Sequence, residues 1–88
     1  MRLDKFLKVS RILKRRSVAK ELIVNDRVFV NEKKAKPSTE VNVDDLIRIR
    51  FGLKEITVKV LEVREFTKKN ESSSLYEIVS EKRLESND

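Results

Sequence analysis

The chain has 88 residues, of which 39% are hydrophobic and 41% are charged, and its formal net charge is +6. A chain of this length makes one small domain with a modest core, because it buries only about 60–65% of the surface that the unfolded chain exposes. It contains no cysteine and no histidine, which excludes a disulfide scaffold and removes the commonest metal ligands and the commonest general base. We therefore expect no catalytic site, no metal and no cofactor.

Membrane and export signals are not visible. No apolar run approaches the roughly 20 residues that a membrane-spanning helix needs, and the first residues lack the apolar core of a signal peptide. We expect a monomeric cytoplasmic protein that has no membrane partner and no small-molecule substrate.

The positive charge is confined to the first part of the chain. Residues 1–36 carry a net charge of +8, and the remainder carries −2. A local basic face indicates a polyanionic partner more strongly than a high isoelectric point does.

Two short helices are predicted at the N-terminus. Leu3, Phe6 and Leu7 have the spacing of one helical face and predict a helix over about residues 3–9, with Asp4 in its first turn. Ser17 is a suitable N-cap for a second helix, whose apolar face ends before a stop signal at residues 25–26.

The rest of the chain predicts strands. Residues 27–31 are short, β-branched and aromatic, residues 47–51 and 56–63 alternate in polarity, and Gly52 predicts a hairpin turn between the last two. Residues 32–34 are interpreted as a loop, residues 68–74 as a mobile loop, residues 75–79 as a last strand and residues 81–88 as a frayed polar tail.

The predicted fold class is α+β, with two N-terminal helices, in a helix-turn-helix-like arrangement, packed on a small, mostly antiparallel sheet. We expect residues 1–66 to form the main body with an extended hairpin. Residues 67–88 would supply the loop, the final strand and the tail of the same domain.

The start of the second helix gathers cations. Lys14, Arg15, Arg16 and Lys20 lie before or inside its first turn, where each would cost some tenths of a kcal/mol to about 1 kcal/mol against the positive end of the helix dipole. A phosphate would reverse that sign, because backbone N–H groups, the dipole and guanidinium groups all favour an anion there. The alternative is a solvated basic turn that only keeps the protein soluble.

Asp4 and the aromatic residues each allow two interpretations. Asp4 is either a catalytic carboxylate or, as we favour, a helix-end residue that could also pair with a nearby cation, for example Lys8 one turn on. The aromatic residues could stack on bases, but their periodicity places most of them in the core, with Phe66 undecided. We see no stacking platform and do not expect recognition of single strands.

The first part of the chain resembles a known family. Residues 2–7, Arg11, residues 15–20 and residues 27–31 match, in order and spacing, the pattern of the S-four RNA-binding domain, which is named for ribosomal protein S-four. The resemblance covers about residues 2–51. Residues 50–60 and a segment near the end resemble the small stand-alone members of that family, the RqcP (YabO) type and the ribosome-associated heat-shock protein.

This resemblance implies a non-enzymatic protein that binds RNA. The implied partners are an obstructed large ribosomal subunit, through its rRNA and its peptidyl-tRNA, and an RqcH-type factor that adds C-terminal alanine tails to stalled chains. The residues that we expect to contact RNA are polar or basic and come from the first part of the chain: Arg2, Lys5, Lys8, Arg11, Lys14, Arg15, Arg16, Ser17, Lys20, Arg27, Lys33 and Lys34.

The sequence departs from the family pattern where glycine is usual. Asp26, Glu32 and Asp44 stand at those positions. Aspartate tolerates left-handed turns better than most residues do, whereas Glu32 is unusual. The added negative charge makes the loop after Asn31 the least secure part of the expected RNA surface.

Other functions remain open at this point. The chain could be a general binder of structured RNA with a heat-shock or assembly role. A DNA-binding helix-turn-helix would read bases with the second helix, whose polar face is poor in suitable side chains. A protein adaptor would need an exposed apolar patch, which the pattern does not predict.

Overall fold

The computed structural model describes residues 1–84, and the last part of the predicted tail lies outside them. Two α-helices, α1 (Leu3–Val9) and α2 (Arg16–Val24), precede five strands: β1 (Val28–Val30), β2 (Lys33–Lys34), β3 (Leu46–Phe51), β4 (Lys54–Val60) and β5 (Tyr76–Arg83). A short 3-10 helix, Ser72–Leu75, comes just before β5. The strands form one sheet in the order β2-β1-β3-β4-β5, in which every neighbouring pair is antiparallel. The predicted α+β class is confirmed.

The core lies between the two helices and one face of the sheet. Alternation along β3 buries Ile47 and Ile49 on that face, while Arg48 and Arg50 lie on the other. The helices contribute the residues of their predicted apolar faces. Together with residues of the strands they form one buried cluster: Leu3, Phe6, Leu7, Ala19, Ile23, Val28, Val30, Ile47, Ile49, Val58 and Val60. The i, i+3, i+4 spacing in α1 thus fixes which side of the helix faces the sheet.

Each of the two helices is followed by a residue in the left-handed conformation. At the end of α2, Asp26 has φ 60°, its N–H donates to the Ile23 carbonyl, and the Arg27 N–H donates to the Leu22 carbonyl. This is the Schellman arrangement, in which glycine is the usual left-handed residue. Arg11 occupies the equivalent left-handed position after α1, also with φ 60°. The predicted stop at residues 25–26 is confirmed.

Two tight hairpins explain three further left-handed residues, which lie between neighbouring strands. Asn31 and Glu32 join β1 to β2 and both have positive φ, 50° and 70°, as a type I′ turn requires. Gly52 joins β3 to β4 with φ 59°, which is the glycine position of a type II′ turn. The predicted hairpin at Gly52 is confirmed, as is the left-handed conformation of Asp26 and Asp44, the latter with φ 75°.

Three local predictions are wrong. The N-cap of α2 is Arg15, with extended φ and ψ, and Ser17 lies inside the helix. Residues 33–34, predicted as loop, form the short strand β2, because the two-residue turn returns them directly onto β1. The strand β5 continues to Arg83, into the segment predicted as tail, because Lys54 pairs with Arg83 across the sheet.

The segment before β5 is held by specific contacts. Leu75 is fully buried, its carbonyl accepts from the Leu61 N–H at 2.8 Å, and Arg64 donates to Glu71 at 2.8 Å. These contacts give residues 72–75 a defined turn of helix where the sequence had predicted only an irregular loop. None of the helices among residues 1–84 is long and apolar enough to cross a membrane.

Candidate nucleic-acid interface

Asp4 organises the cations at the start of both helices. Its side chain has no exposed surface, although it is a carboxylate in the first turn of α1. Arg2 contacts it through Nε at 3.2 Å and Nη2 at 3.3 Å, and the Lys5 N–H donates to it at 2.8 Å. From α2, Arg16 contacts the same carboxylate through Nε at 3.2 Å and Nη2 at 3.3 Å.

Lys20 completes this group, with Nζ 4.0 Å from Asp4 Oδ2. The side chains of Arg2, Arg16 and Lys20 keep 50%, 42% and 51% of their surface exposed. One buried negative charge thus holds three cations whose outer surfaces face solvent. The expectation that Asp4 pairs with nearby cations is confirmed, but Lys8 is not one of them among the described residues, because Arg2, Arg16 and Lys20 occupy the buried carboxylate while Lys8 is exposed.

The neighbouring cations affect the charge state of Asp4. Burial by itself would raise the pKa of the carboxyl group, but hydrogen bonds from Arg16 and from the Lys5 backbone, together with the charge of Arg16, lower its pKa below the ordinary 3.8. The carboxylate is therefore ionised at neutral pH. A charged group buried in this way is stable only because its partners are close and well oriented.

The chain start is fixed by a loop of the sheet. The Leu3 N–H donates to the Thr39 carbonyl and the Val41 N–H donates to the Met1 carbonyl, each at 2.8 Å. The terminal ammonium group donates to Glu40 at 2.9 Å. Arg2 is thereby held at the N-cap of α1, in extended conformation, with its side chain directed to Asp4.

The start of α2 keeps the character that the sequence predicted. The N-cap has no side-chain hydrogen bond, and no acidic residue lies in the first turn of the helix. Among residues 1–84, the carboxylate that pairs with Arg16 is the buried Asp4, which comes from α1. Asp4 thus removes part of the repulsion expected there, while Lys14 and Arg15 remain exposed and form no ion pair among the described residues.

A second group of cations lies beyond the end of α1. Lys8, Arg11 and Lys14 line a cavity of about 180 Å³ together with Val9, Leu13, Phe66 and Thr67. The three cations are exposed. Because the connection after α1 turns at Arg11, residues from the helix and from the following turn face the same hollow.

The other predicted contacts are placed differently. Lys5 pairs with Glu65, and Lys34 lies 3.5 Å from Asp26. Lys33 and Lys34 form β2 at the edge of the sheet, and Arg27 lines a separate hollow with Arg50 on the far side of α2. The structure therefore brings together Arg2, Arg16 and Lys20 in one group and Lys8, Arg11 and Lys14 in another. It does not extend either group to Arg27, Lys33 or Lys34.

Two residues at or beside these groups were not recognised as site residues from the sequence. Asp4 was interpreted as a helix-end residue, although its position three residues before Leu7 places it on the apolar face. Phe66, for which the sequence pattern does not decide between core and surface, is 78% exposed beside the second group of cations. Its isolation in a polar stretch was the available signal.

Phe29 also departs from the prediction. Its ring lies on the face of the sheet away from the core, where the Arg48 guanidinium carbon is 4.3 Å from the ring centroid. Arg48 in turn contacts Glu32 at 3.2 Å and Glu55 at 3.7 Å, and Arg50 donates to Glu55 at 2.8 Å. These groups neutralise one another, so the loop at Glu32 is occupied by contacts within the protein.

Comparisons with known proteins agree with this architecture. The family model described as "S4 domain" matches residues 1–47. The RQC P-site tRNA stabilizing factor of Streptococcus pneumoniae is 55% identical over 87 residues, which span 99% of each chain. The protein of the same name from Bacillus subtilis is 48% identical over 84 residues, 96% of this chain and 98% of that one.

A solved structure gives the same result for the fold. The trimeric structure of heat shock protein 15 from Vibrio cholerae superposes with a TM-score of 0.84 at 31% identity, covering 91% of this chain and 82% of that one. The class defined by two helices with a basic surface on an antiparallel sheet is therefore that of small S4-domain proteins. The chain belongs to the S4 domain family, within the group of the RQC P-site tRNA stabilizing factors. The resemblance predicted from residues 2–51 is confirmed.

Proposed function

We propose that this protein is a non-enzymatic RNA-binding factor of ribosome quality control. It binds an obstructed large ribosomal subunit, contacts rRNA and peptidyl-tRNA, and assists C-terminal alanine tailing of the stalled chain by an RqcH-type factor. It works in the cytoplasm, where ribosomes are, as a single copy. The observation that carries the proposal is the cationic surface at the start of the two helices, organised by Asp4.

The physical argument concerns how that surface meets RNA. The charged groups of Arg2, Arg16 and Lys20 lie within 4.0 Å of Asp4, and each side chain keeps about half of its surface exposed, so these cations can contact Asp4 and RNA phosphates at the same time. RNA duplexes hide the edges of their bases in a deep groove, and proteins recognise them mostly through shape, phosphate positions and 2′-hydroxyl groups. A firm array of cations suits that mode.

The relatives support the specific role. Proteins that are 48–55% identical over nearly their full length carry the name P-site tRNA stabilizing factor. A surface that binds both rRNA and the tRNA beside it would hold the tRNA in place. The contacts that we propose with RNA are seven of the twelve expected from the sequence. Arg2 and Arg16 come first, as expected, now joined by Lys20, with Lys8, Arg11, Lys14 and Arg15 beside them.

Binding is tested by co-sedimentation with large ribosomal subunits that carry peptidyl-tRNA. The double variant Lys14→Ala/Arg15→Ala removes two exposed charges that form no ion pair among residues 1–84. The control, Lys54→Ala/Lys59→Ala, removes the same charge from β4. We expect the first variant to bind at least tenfold more weakly, since each phosphate contact contributes about four- to fivefold at 0.15 M salt. Equal binding by both variants would contradict the proposed surface.

Tailing is tested separately with purified obstructed subunits, an RqcH-type factor and alanyl-tRNA. The wild-type protein should lengthen the alanine tails, and the Lys14→Ala/Arg15→Ala variant should do so less. Normal binding without any effect on tail length would remove the tailing role and leave the RNA-binding role standing.

The fold similarity to heat shock protein 15 favours a second candidate, a general factor for structured ribosomal RNA. The two candidates differ in their dependence on tRNA. Equal affinity for vacant large subunits and for subunits that carry peptidyl-tRNA would favour the general factor.

A further inference from the structure

Phe66 is an aromatic side chain that the core does not use. It lies in the connection between β4 and the 3-10 helix and is 78% exposed. Burying such a side chain would stabilise the fold by about 1.5–3 kcal/mol. Because Phe66 is exposed, the fold lacks this stabilisation, although the core of the protein is small.

The backbone around Phe66 is held against α1. Thr67 donates its hydroxyl proton to the Val9 carbonyl at 2.8 Å, and Glu65 pairs with Lys5. Both neighbours of Phe66 are thus tied to the helix, one near its end and one near its start. The aromatic ring between them is presented beside α1.

The hollow beside Phe66 is small and cationic. Its volume is about 180 Å³, and its charged lining consists of Lys8, Arg11 and Lys14. This volume is below the roughly 300–1,000 Å³ of pockets that enclose whole small molecules. A single planar ring system fits such a space better than an entire cofactor does.

Charge favours a nucleic acid as the occupant. Lys8, Arg11 and Lys14 are exposed and form no ion pair within residues 1–84. An apolar protein segment would have to approach three uncompensated cations, whereas an RNA strand brings a phosphate with each base. Stacking of a base on a phenyl ring is tolerant of sequence and is strengthened by nearby cations.

We propose that Phe66, together with Lys8, Arg11 and Lys14, forms a seat for one unstacked RNA base whose flanking phosphates contact the three cations. The inference rests on the proposed function and deepens it, because it adds an unpaired nucleotide to a surface otherwise suited to paired RNA. The base comes from large-subunit rRNA or from the tRNA. In either case the chemistry is the same: a π face on Phe66 and phosphates on the cations.

The first test uses two RNA hairpins that differ only in one bulged 2-aminopurine, a fluorescent base. Phe66→Ala should weaken binding of the bulged hairpin by about 5- to 150-fold, the range found when stacking side chains are truncated. Binding of the fully paired hairpin should not change. Phe66→Trp should restore the affinity and the change in fluorescence on binding.

The matched control is Leu53→Ala, which removes an apolar side chain that is 53% exposed in the β3–β4 turn. It should leave the binding of both hairpins unchanged. If Phe66→Ala binds the bulged hairpin as tightly as the wild type does, the seat is disproved. The proposed function would still stand if wild-type protein co-sediments with large subunits, and loss of that co-sedimentation would overturn both.

The second test identifies the source of the base. The photo-crosslinker p-benzoylphenylalanine replaces Phe66 in the full chain, which is bound to large subunits with and without peptidyl-tRNA. A crosslink to an unpaired rRNA nucleotide in both samples, or to a tRNA nucleotide only in the second, supports the seat and names its source. Crosslinks confined to ribosomal protein or to paired RNA would overturn it.

Discussion

Asp4 determines how the cations of two helices are arranged. It is fully buried, but it remains ionised because Arg2 and Arg16 approach it within 3.3 Å. One arginine precedes α1 and the other begins α2, so the sequence alone does not show that they share a partner. The consequence is that the carboxylate contributes both to stability and to the shape of the proposed RNA-binding surface.

Replacing Asp4 by asparagine should lower the free energy of unfolding at pH 7 by about 1–3 kcal/mol, because charge-assisted hydrogen bonds are lost from a buried site. The folded-state pKa of Asp4 is lowered from the ordinary 3.8, so its contribution is present above pH 3.8 and is lost as pH falls through the lower folded value. Chemical denaturation at several pH values measures this. The Asp4→Asn variant should show a flatter decline than the wild type in that acid range.

Glu55 sets the background for that measurement. A hydrogen bond from Arg50 lowers the pKa of Glu55 from 4.5, with smaller effects from the charges of Arg48 and Arg50. Its contribution begins to fall at a slightly higher pH and persists in the Asp4→Asn variant. A decline in that variant as steep as in the wild type throughout would contradict the role assigned to Asp4.

Replacing Arg11 should affect the stability of the fold and the affinity for RNA in different ways. It holds φ 60° after α1, a conformation that costs a non-glycine residue about 1–2 kcal/mol. Arg11→Gly relieves that strain but adds about 0.4–1 kcal/mol of unfolded-chain entropy, so the free energy of unfolding should be unchanged or rise by up to about 1.6 kcal/mol. Affinity for RNA should fall about four- to fivefold at 0.15 M salt, because one phosphate contact is lost.

The control for Arg11→Gly is Asp26→Gly, which changes the equivalent left-handed position after α2. Thermal unfolding should show no change or a smaller gain than Arg11→Gly does, because aspartate tolerates the left-handed conformation better than most residues do. Affinity for RNA should not fall, since a negative charge is removed. Equal loss of RNA affinity in the two variants would place Arg11 outside the binding surface.

At the scale of elements, the β1–β2 hairpin depends on a two-residue turn in which glutamate occupies a position that favours glycine. Glu32 has φ 70° and contacts Arg48 at 3.2 Å. Glu32→Gly and Glu32→Val both remove that contact, and they differ in how well the new residue adopts a positive φ. The valine variant should be less stable than the glycine variant by about 1–2 kcal/mol, because β-branched residues are outliers at positive φ. Denaturant titration of both variants checks this difference, and equal stability would rule out a strained turn.

Helices and strands with clear periodicity could be predicted from the sequence. The spacing of Leu3, Phe6 and Leu7 gave α1 with its observed bounds, and the alternation around Ile47 and Ile49 gave β3. The errors fall where local signals compete with the pairing of distant segments. Ser17 is a good N-cap by residue type, but the N-cap is Arg15, two residues earlier, and the helix begins at Arg16, whose side chain contacts Asp4 in the other helix.

The candidate site was less accessible to prediction. Its residue types and charge could be read from the sequence, and the two groups of cations contain only predicted residues. The division of these cations into two groups could not be predicted, because Arg2 and Arg16 share Asp4 only when α1 packs on α2. The position of Phe66 beside Arg11 likewise depends on the path of the chain after β4.

On the scale of the whole molecule, charge is distributed unevenly between the two parts of the chain. Residues 1–36 carry a net charge of +8 and the remainder −2. We therefore expect the N-terminal part of the chain to attract RNA, whereas in the later part acidic residues outnumber basic ones. Binding should therefore depend steeply on salt, with a log-log slope of about −0.7 to −0.9 for each phosphate contacted. Fluorescence anisotropy with large-subunit RNA fragments at several salt concentrations measures the slope.

The same titration counts contacts in variants. Lys14→Ala/Arg15→Ala should reduce the magnitude of the slope by about 1.4–1.8, and Lys54→Ala/Lys59→Ala should leave it close to that of the wild type. A slope near zero for the wild type would indicate that binding does not depend on phosphate contacts.

The network around Asp4 also bears on the entropy of binding. Free arginine and lysine side chains lose rotational freedom when they are immobilised at an interface, at about 0.5–1.5 kcal/mol each. Arg2 and Arg16 have already lost much of that freedom to the carboxylate in the unbound protein. A small protein can thus hold a rigid array of cations ready for RNA, and the ordering is completed during folding, before the partner arrives.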